Sequence, residues 1–173
     1  MKEQRTEKRK EKEHLPRYGV GPYYTIGIVA LTAIGVILSC MGVLDSGKIA
    51  EKWPIVLFVA AGVVTFVIGF LIWAAAALGA KSIDKYINSN TLCTTGIYSV
   101  VRNPIYSGLV LNCTGVLLIA HNVWLLILPF IFWIALTILM KCSEEKWLLK
   151  LYGDQYVEYC KRVNRCIPWF PKK

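Results

Sequence analysis

Charge is scarce in this chain, and negative charge is scarcest. Of 173 residues 18% are charged, with 11 Asp and Glu against 20 Lys and Arg. A soluble domain carries about 25% charged residues. The shortfall, with 55% hydrophobic residues and a mean hydropathy of +0.48, excludes a disordered protein and an ordinary cytosolic enzyme fold. Histidine is nearly missing: His14 and His121 stand far apart, and neither is spaced with cysteine to hold zinc. The six cysteines form no C-x-x-C pair, which argues against a metal site and against a disulfide-stapled secreted domain. Internal repeats and low-complexity segments are also absent. An enzyme is not excluded.

What is present comes in blocks. Residues 23–44, 54–80 and 105–140 carry no Asp, Glu, Lys or Arg, and are 22, 27 and 36 residues long. A helix needs about 20 apolar residues to cross a ~30 Å hydrocarbon core, so the third block holds two crossings. It divides at Ala120-His121-Asn122-Val123, into 104–120 and 123–140. So short a connection makes the two helices antiparallel neighbours, with Asn103 and Lys141 at one membrane face. The expected fold is an all-α integral membrane protein of four transmembrane helices, the last two a tight hairpin, followed by an interfacial C-terminal helix.

Basic residues set the orientation. Residues 1–22, 81–103 and 141–173 hold seven, three and eight Lys or Arg, and only Lys48 and Lys52 lie elsewhere. Eighteen against two places both termini in the cytoplasm. The +9 net charge therefore marks cytoplasmic flanks of a lipid bilayer rather than a nucleic-acid surface. Three regions follow: a charged, solvated cytoplasmic tail at 1–22, two N-terminal membrane helices in 23–80, and a core at 81–173. The first span follows the tail as an uncleaved anchor.

Two polar segments meet at the cytoplasmic face. Residues 90–108 end in a helix start, Asn103 at the N-cap and Pro104 at the first helical position. Free N–H groups and a partial positive charge there suit a carboxylate. Beginning a membrane helix is the plainer explanation. Residues 141–156 open with Glu144 and Glu145, which point about 100° apart on a continuing helix, so one alone faces a shared pocket. Solvent exposure with pairing to Lys141 is the competing account. Within the spans, Gly108, Asn112 and Gly115 make a stripe for close helix packing or, alternatively, a channel lining, and Pro129 is placed to kink the last helix. Trp147, Leu148, Leu149, Leu151, Tyr152, Tyr156, Trp169 and Phe170 among basic residues read as an interfacial segment.

The order and spacing of Gly96, Tyr98, Arg102, Pro104, Tyr106 and Gly108, then Glu144, Glu145, Leu148, Gly153 and Tyr156, then Tyr159, Lys161, Arg162 and Ile167-Pro168 resemble the isoprenylcysteine carboxyl methyltransferase and phospholipid methyltransferase superfamily of integral membrane enzymes. The resemblance spans residues 86–170. Asn103 stands where the family most often has His. Met140 stands where the isoprenylcysteine enzymes carry Arg, which points away from prenylated-cysteine carboxyl methylation. The resemblance implies S-adenosylmethionine as methyl donor, a lipophilic, prenylated or lipid-like acceptor, and a cofactor lying against Thr91, Leu92, Tyr98, the Asn103-Pro104-Ile105-Tyr106 turn and Glu144. The helix start would then take the methionyl carboxylate and Glu144 its ammonium, with Tyr98 or Tyr106 on the adenine or sulfonium. No catalytic base is evident: His121 falls at the opposite face, and Arg102 and Tyr106 are the candidates for a catalytic role. Two rival functions remain: an NADPH-dependent sterol-reductase-like enzyme, and a non-catalytic small membrane protein. The acceptor atom and the oligomeric state are open.

Overall fold

The structure is a computed structural model and describes residues 21–79, 86, 89 and 91–168. Most of the charged tail, Asn90, Trp169 and Phe170 lie outside these residues. Among the described residues there are six α-helices and no strand: α1 (Gly21–Cys40), α2 (Lys52–Leu78), α3 (Pro104–Ile119), α4 (Ile127–Cys142), α5 (Glu144–Tyr152) and α6 (Asp154–Arg162). Gly21–Cys40, Lys52–Leu78 and the run Val123–Tyr152 are long and apolar enough to cross a membrane, whereas Pro104–Ile119 is apolar but shorter.

Backbone polar groups in hydrocarbon must be satisfied within the segment, which is why each apolar block is helical. The hydroxyls of Thr32, Thr65, Thr114 and Thr137 donate to the carbonyl four residues earlier, at 2.7–2.8 Å. Each of these threonines thereby satisfies its hydroxyl within its own helix. Large apolar residues face outward, including Leu57 (71% exposed) and Phe130 (68%). Exposed apolar area on this scale suits lipid, not water.

Glycine sets the tightest packing, between α2 and α3. A Cβ built on Gly62 would lie 2.7 Å from the Gly115 carbonyl oxygen, and one on Gly108 would lie 2.7 Å from that of Gly69. The Gly108–Asn112–Gly115 stripe is therefore a helix-packing face. Fully buried Leu117, Phe132, Leu136 and Met140 fill the core between α3 and α4. Tyr24 on α1 donates its hydroxyl to the Phe132 carbonyl at 2.8 Å.

The turn after α3 is pinned by Asn122, which is fully buried. Its amide donates to Ser39 Oγ and the Leu44 carbonyl, both at 2.9 Å, and accepts from the Trp124 N–H at 3.1 Å. His121 completes the turn at φ 40°, a left-handed conformation costly for a residue with a Cβ.

Two local expectations change. Pro129, expected to kink the last helix, sits in the first turn of α4, after a 3₁₀ turn at Val123–Leu126. There its missing N–H costs no intrahelical bond. The helix expected to continue through Glu144 and Glu145 breaks at Ser143, with φ −119° and ψ −83°. The Ser143 hydroxyl and N–H both donate to the Leu139 carbonyl.

Candidate functional site

The segment preceding α3 leads to a short 3₁₀ turn, Gly96–Ser99, that Gly96 enters at φ 61°. A cavity of about 160 Å³ opens beside it, lined in part by Thr91, Leu92, Tyr98, Arg102 and Asn103. Of the residues expected to meet the cofactor or to act in catalysis, these five share one space. The far wall comes from α5 and α6 through Leu148, Tyr152, Tyr156 and Tyr159. Tyr156, Tyr159 and Val163 form a buried cluster beneath it, with Leu92, Leu148 and Cys160 packed against them. The family spacing of Leu148, Gly153, Tyr156 and Tyr159 signalled part of this wall; Tyr152 was read from the sequence only as an interfacial aromatic.

The remaining predicted residues sit beside the cavity or away from it. Pro104 is buried at the helix start, and Ile105 is 40% exposed and faces outward. The Tyr106 hydroxyl donates to Glu144 Oε1 at 3.3 Å, which brings the first turn of α3 to the beginning of α5. The Tyr106 ring packs edge-on against Tyr24 of α1. The same ring also lies against Gly21, where a Cβ would collide with it. Glu144 lies close enough to Tyr98 to influence its ionisation. Burial, with smaller effects from Cys93 and Glu144, pushes the Tyr98 hydroxyl up to about 12. Burial also raises the Glu144 carboxyl, while the Tyr106 hydrogen bond partly lowers it. A half-buried acid whose partner among the described residues is a tyrosine hydroxyl is thus available to a positively charged ligand.

Asn103 occupies the N-cap position, but its side chain does not cap α3. Its Nδ2 donates instead to the Arg165 carbonyl at 3.0 Å, and its N–H donates to the same oxygen at 3.2 Å. With no side-chain cap, the Ile105 and Tyr106 N–H groups at the helix start have no intrahelical partner.

Sequence reasoning missed the partner of Glu145. Arg165 grips it with two parallel bonds, Nε to Oε1 at 2.5 Å and Nη2 to Oε2 at 2.9 Å. Arg102 reaches Glu145 Oε1 through Nη1 at 3.1 Å and also donates to the Tyr156 hydroxyl at 3.3 Å and to Cys160. Glu145 therefore pairs with neither Lys141 nor solvent. Only the closing basic stretch hinted at Arg165.

A second cavity, about 480 Å³, lies among α1, α2 and α3. Its lining includes Thr32, Val36, Phe66, Asn112 and Cys113. Asn112 Oδ1 is buried and lacks a hydrogen-bond partner among the described residues.

Fold and site together define a membrane-embedded helical protein with a tyrosine-lined cavity at one end. The profile of the phospholipid methyltransferase family matches residues 55–155, and the chain belongs to that family. It is 27% identical over 131 residues to the protein-S-isoprenylcysteine O-methyltransferase of Schizosaccharomyces pombe, covering 62% of this chain and 55% of that one. It is 28% identical over 124 residues to the methanethiol S-methyltransferase of Crocosphaera subtropica, covering 68% of this chain and 47% of that one. The chain spans about half the length of the curated relatives it matches. S-adenosylmethionine is the methyl donor the family implies.

Proposed function

We propose that this chain is an S-adenosylmethionine-dependent methyltransferase acting on a lipophilic acceptor delivered from the bilayer. In this reading the chain crosses the membrane four times, Pro104–Ile119 and Ile127–Cys142 forming an antiparallel hairpin with the termini and the donor site on the cytoplasmic face. The observation that carries it is the junction between the tyrosine-lined cavity and the Tyr106–Glu144 pair.

The residues present fit the donor. Glu144, half-buried and raised by burial, offers a carboxylate for the ammonium group. The uncapped start of α3 offers N–H groups for a carboxylate. Tyr98, Tyr152, Tyr156 and Tyr159 offer rings to a purine or a sulfonium. When bound, S-adenosylmethionine supplies a methyl group on a positively charged sulfur, transferred in line as that charge is lost.

The protein's own contribution is then position and dryness. Arg102 is tied to Glu145 and Tyr156, which suits it to shaping the site. Tyr106 stands where the polar end meets the apolar body and is the residue placed to meet an acceptor arriving from the membrane. The apolar cavity among α1, α2 and α3 supports a hydrocarbon-bearing acceptor. One relative is named for O-methylation and the other for S-methylation, so the shared part of the chain suits the donor side and leaves acceptor choice to local residues.

The test is incubation of the purified protein with methyl-labelled S-adenosylmethionine and native membrane extract. Label in an organic-extractable product, lost in Glu144→Ala, is expected. Label confined to water-soluble products would overturn the lipophilic acceptor, and no transfer at all would overturn the activity.

A further inference from the structure

Two adjacent acids in this chain have different surroundings. Glu144 meets a tyrosine hydroxyl, whereas Glu145 lies between two guanidinium groups. The Arg102, Arg165 and Glu145 side chains are 9%, 23% and 16% exposed, so the cluster is screened from solvent and its charges act at close range.

The cluster joins three parts of the chain: Arg102 precedes α3, Glu145 opens α5, and Arg165 follows α6. Backbone bonds run alongside, with the Arg102 N–H donating to the Asn164 carbonyl at 2.9 Å and the Asn103 N–H to that of Arg165 at 3.2 Å. Val101 and Asn164 form an isolated parallel bridge. Arg102 and Asn103 line the cavity, and so does Tyr156, which accepts from Arg102. Tyr159, also on the lining, donates to the Tyr98 carbonyl.

We infer that Glu145 is a positioning residue: it holds Arg102 and Arg165 together, closing the segment after α6 against the start of α3 and keeping the cavity wall in place. Glu145 does not itself touch the donor. Without it, two guanidinium groups face each other with no counter-charge, and the wall they carry separates. The inference rests on the cavity being the donor site and divides the acidic pair into one ligand and one clamp.

The experiment compares binding of S-adenosylhomocysteine with binding of its analogue lacking the α-amino group, by calorimetry on the full chain in detergent. Glu145→Gln and Arg165→Gln each weaken both nucleosides by the same factor, about tenfold, a typical coupling between a site and its support. The double variant is no worse than either single one, since the two residues act as a unit. Glu145→Asp, which keeps the charge, restores part of the affinity for both. Glu144→Gln weakens the parent compound alone. Selective loss of the parent compound in Glu145→Gln, or additive losses in the double variant, would overturn the clamp while leaving the donor site standing. If the wild type binds neither nucleoside, the donor site and the clamp's role in it both fall.

Discussion

Successive residues on a helix point about 100° apart, and at the start of α5 that angle decides chemistry. It sends Glu144 toward Tyr106 and Glu145 toward the two arginines. Burial raises the Glu144 carboxyl above its ordinary value, so the folded protein binds more protons there than the unfolded chain does. Stability then falls as pH rises through the window between the two values. Thermal unfolding in detergent should show this decline from about pH 4.5 upward, and Glu144→Gln should lack that part of the slope. S-adenosylhomocysteine affinity should move the other way, strengthening with pH as the carboxylate ionises. At the opposite end of the molecule, Asn122→Ala removes three hydrogen bonds from a fully buried side chain. A loss of about 1–3 kcal/mol in unfolding free energy is expected, since Ser39 and the Leu44 carbonyl are left without that donor.

At the scale of elements, the α2–α3 pair depends on the absence of side chains. Gly115→Leu drives a side chain into the Gly62 carbonyl and the neighbouring Phe66, and should destabilise by about 1–3 kcal/mol or more. Gly27→Leu on α1 meets open space and should leave the unfolding temperature nearly unchanged; the pair measured together separates packing from helix propensity. The helices themselves were legible in the sequence, because the bilayer demands long uncharged runs and the backbone then has one way to satisfy itself. The Gly108–Asn112–Gly115 stripe was legible as a face, although its partners Gly62 and Gly69 were not. Other features depended on tertiary partners that no local pattern announces. Asn103 gave up its capping role to the Arg165 carbonyl, Pro129 moved into a first turn, and Ser143 broke a helix that composition would have continued. Thr91, Leu92, Tyr98, Arg102 and Asn103, singled out through the family resemblance, line one cavity in the structure. The partner of Glu145 was not legible, because Arg165 lies twenty residues away.

For the whole molecule, the distribution of charge and the contacts between turns imply one arrangement. Trp124 Nε1 donates to Ser46 Oγ at 3.2 Å, and Asn122 binds Leu44, so the turn after α3 and the turn after α1 lie together. With Lys48 in the turn after α1, Lys52 at the start of α2 and the other 18 basic residues elsewhere, that end should face away from the cytoplasm. In sealed vesicles of a background otherwise free of cysteine, Cys93 and a Val123→Cys substitution should react with an impermeant maleimide from opposite sides. Labelling from the same side would contradict a crossing by α3.

If the tyrosine-lined end of this molecule holds the methyl donor, the purified full chain should bind S-adenosylhomocysteine, and calorimetry measures that binding. Saturable binding to the wild type, weakened at least tenfold in both Glu144→Ala and Tyr98→Ala and matched by no binding of NADPH, is the result expected. Absence of binding, or binding indifferent to both substitutions, would contradict it.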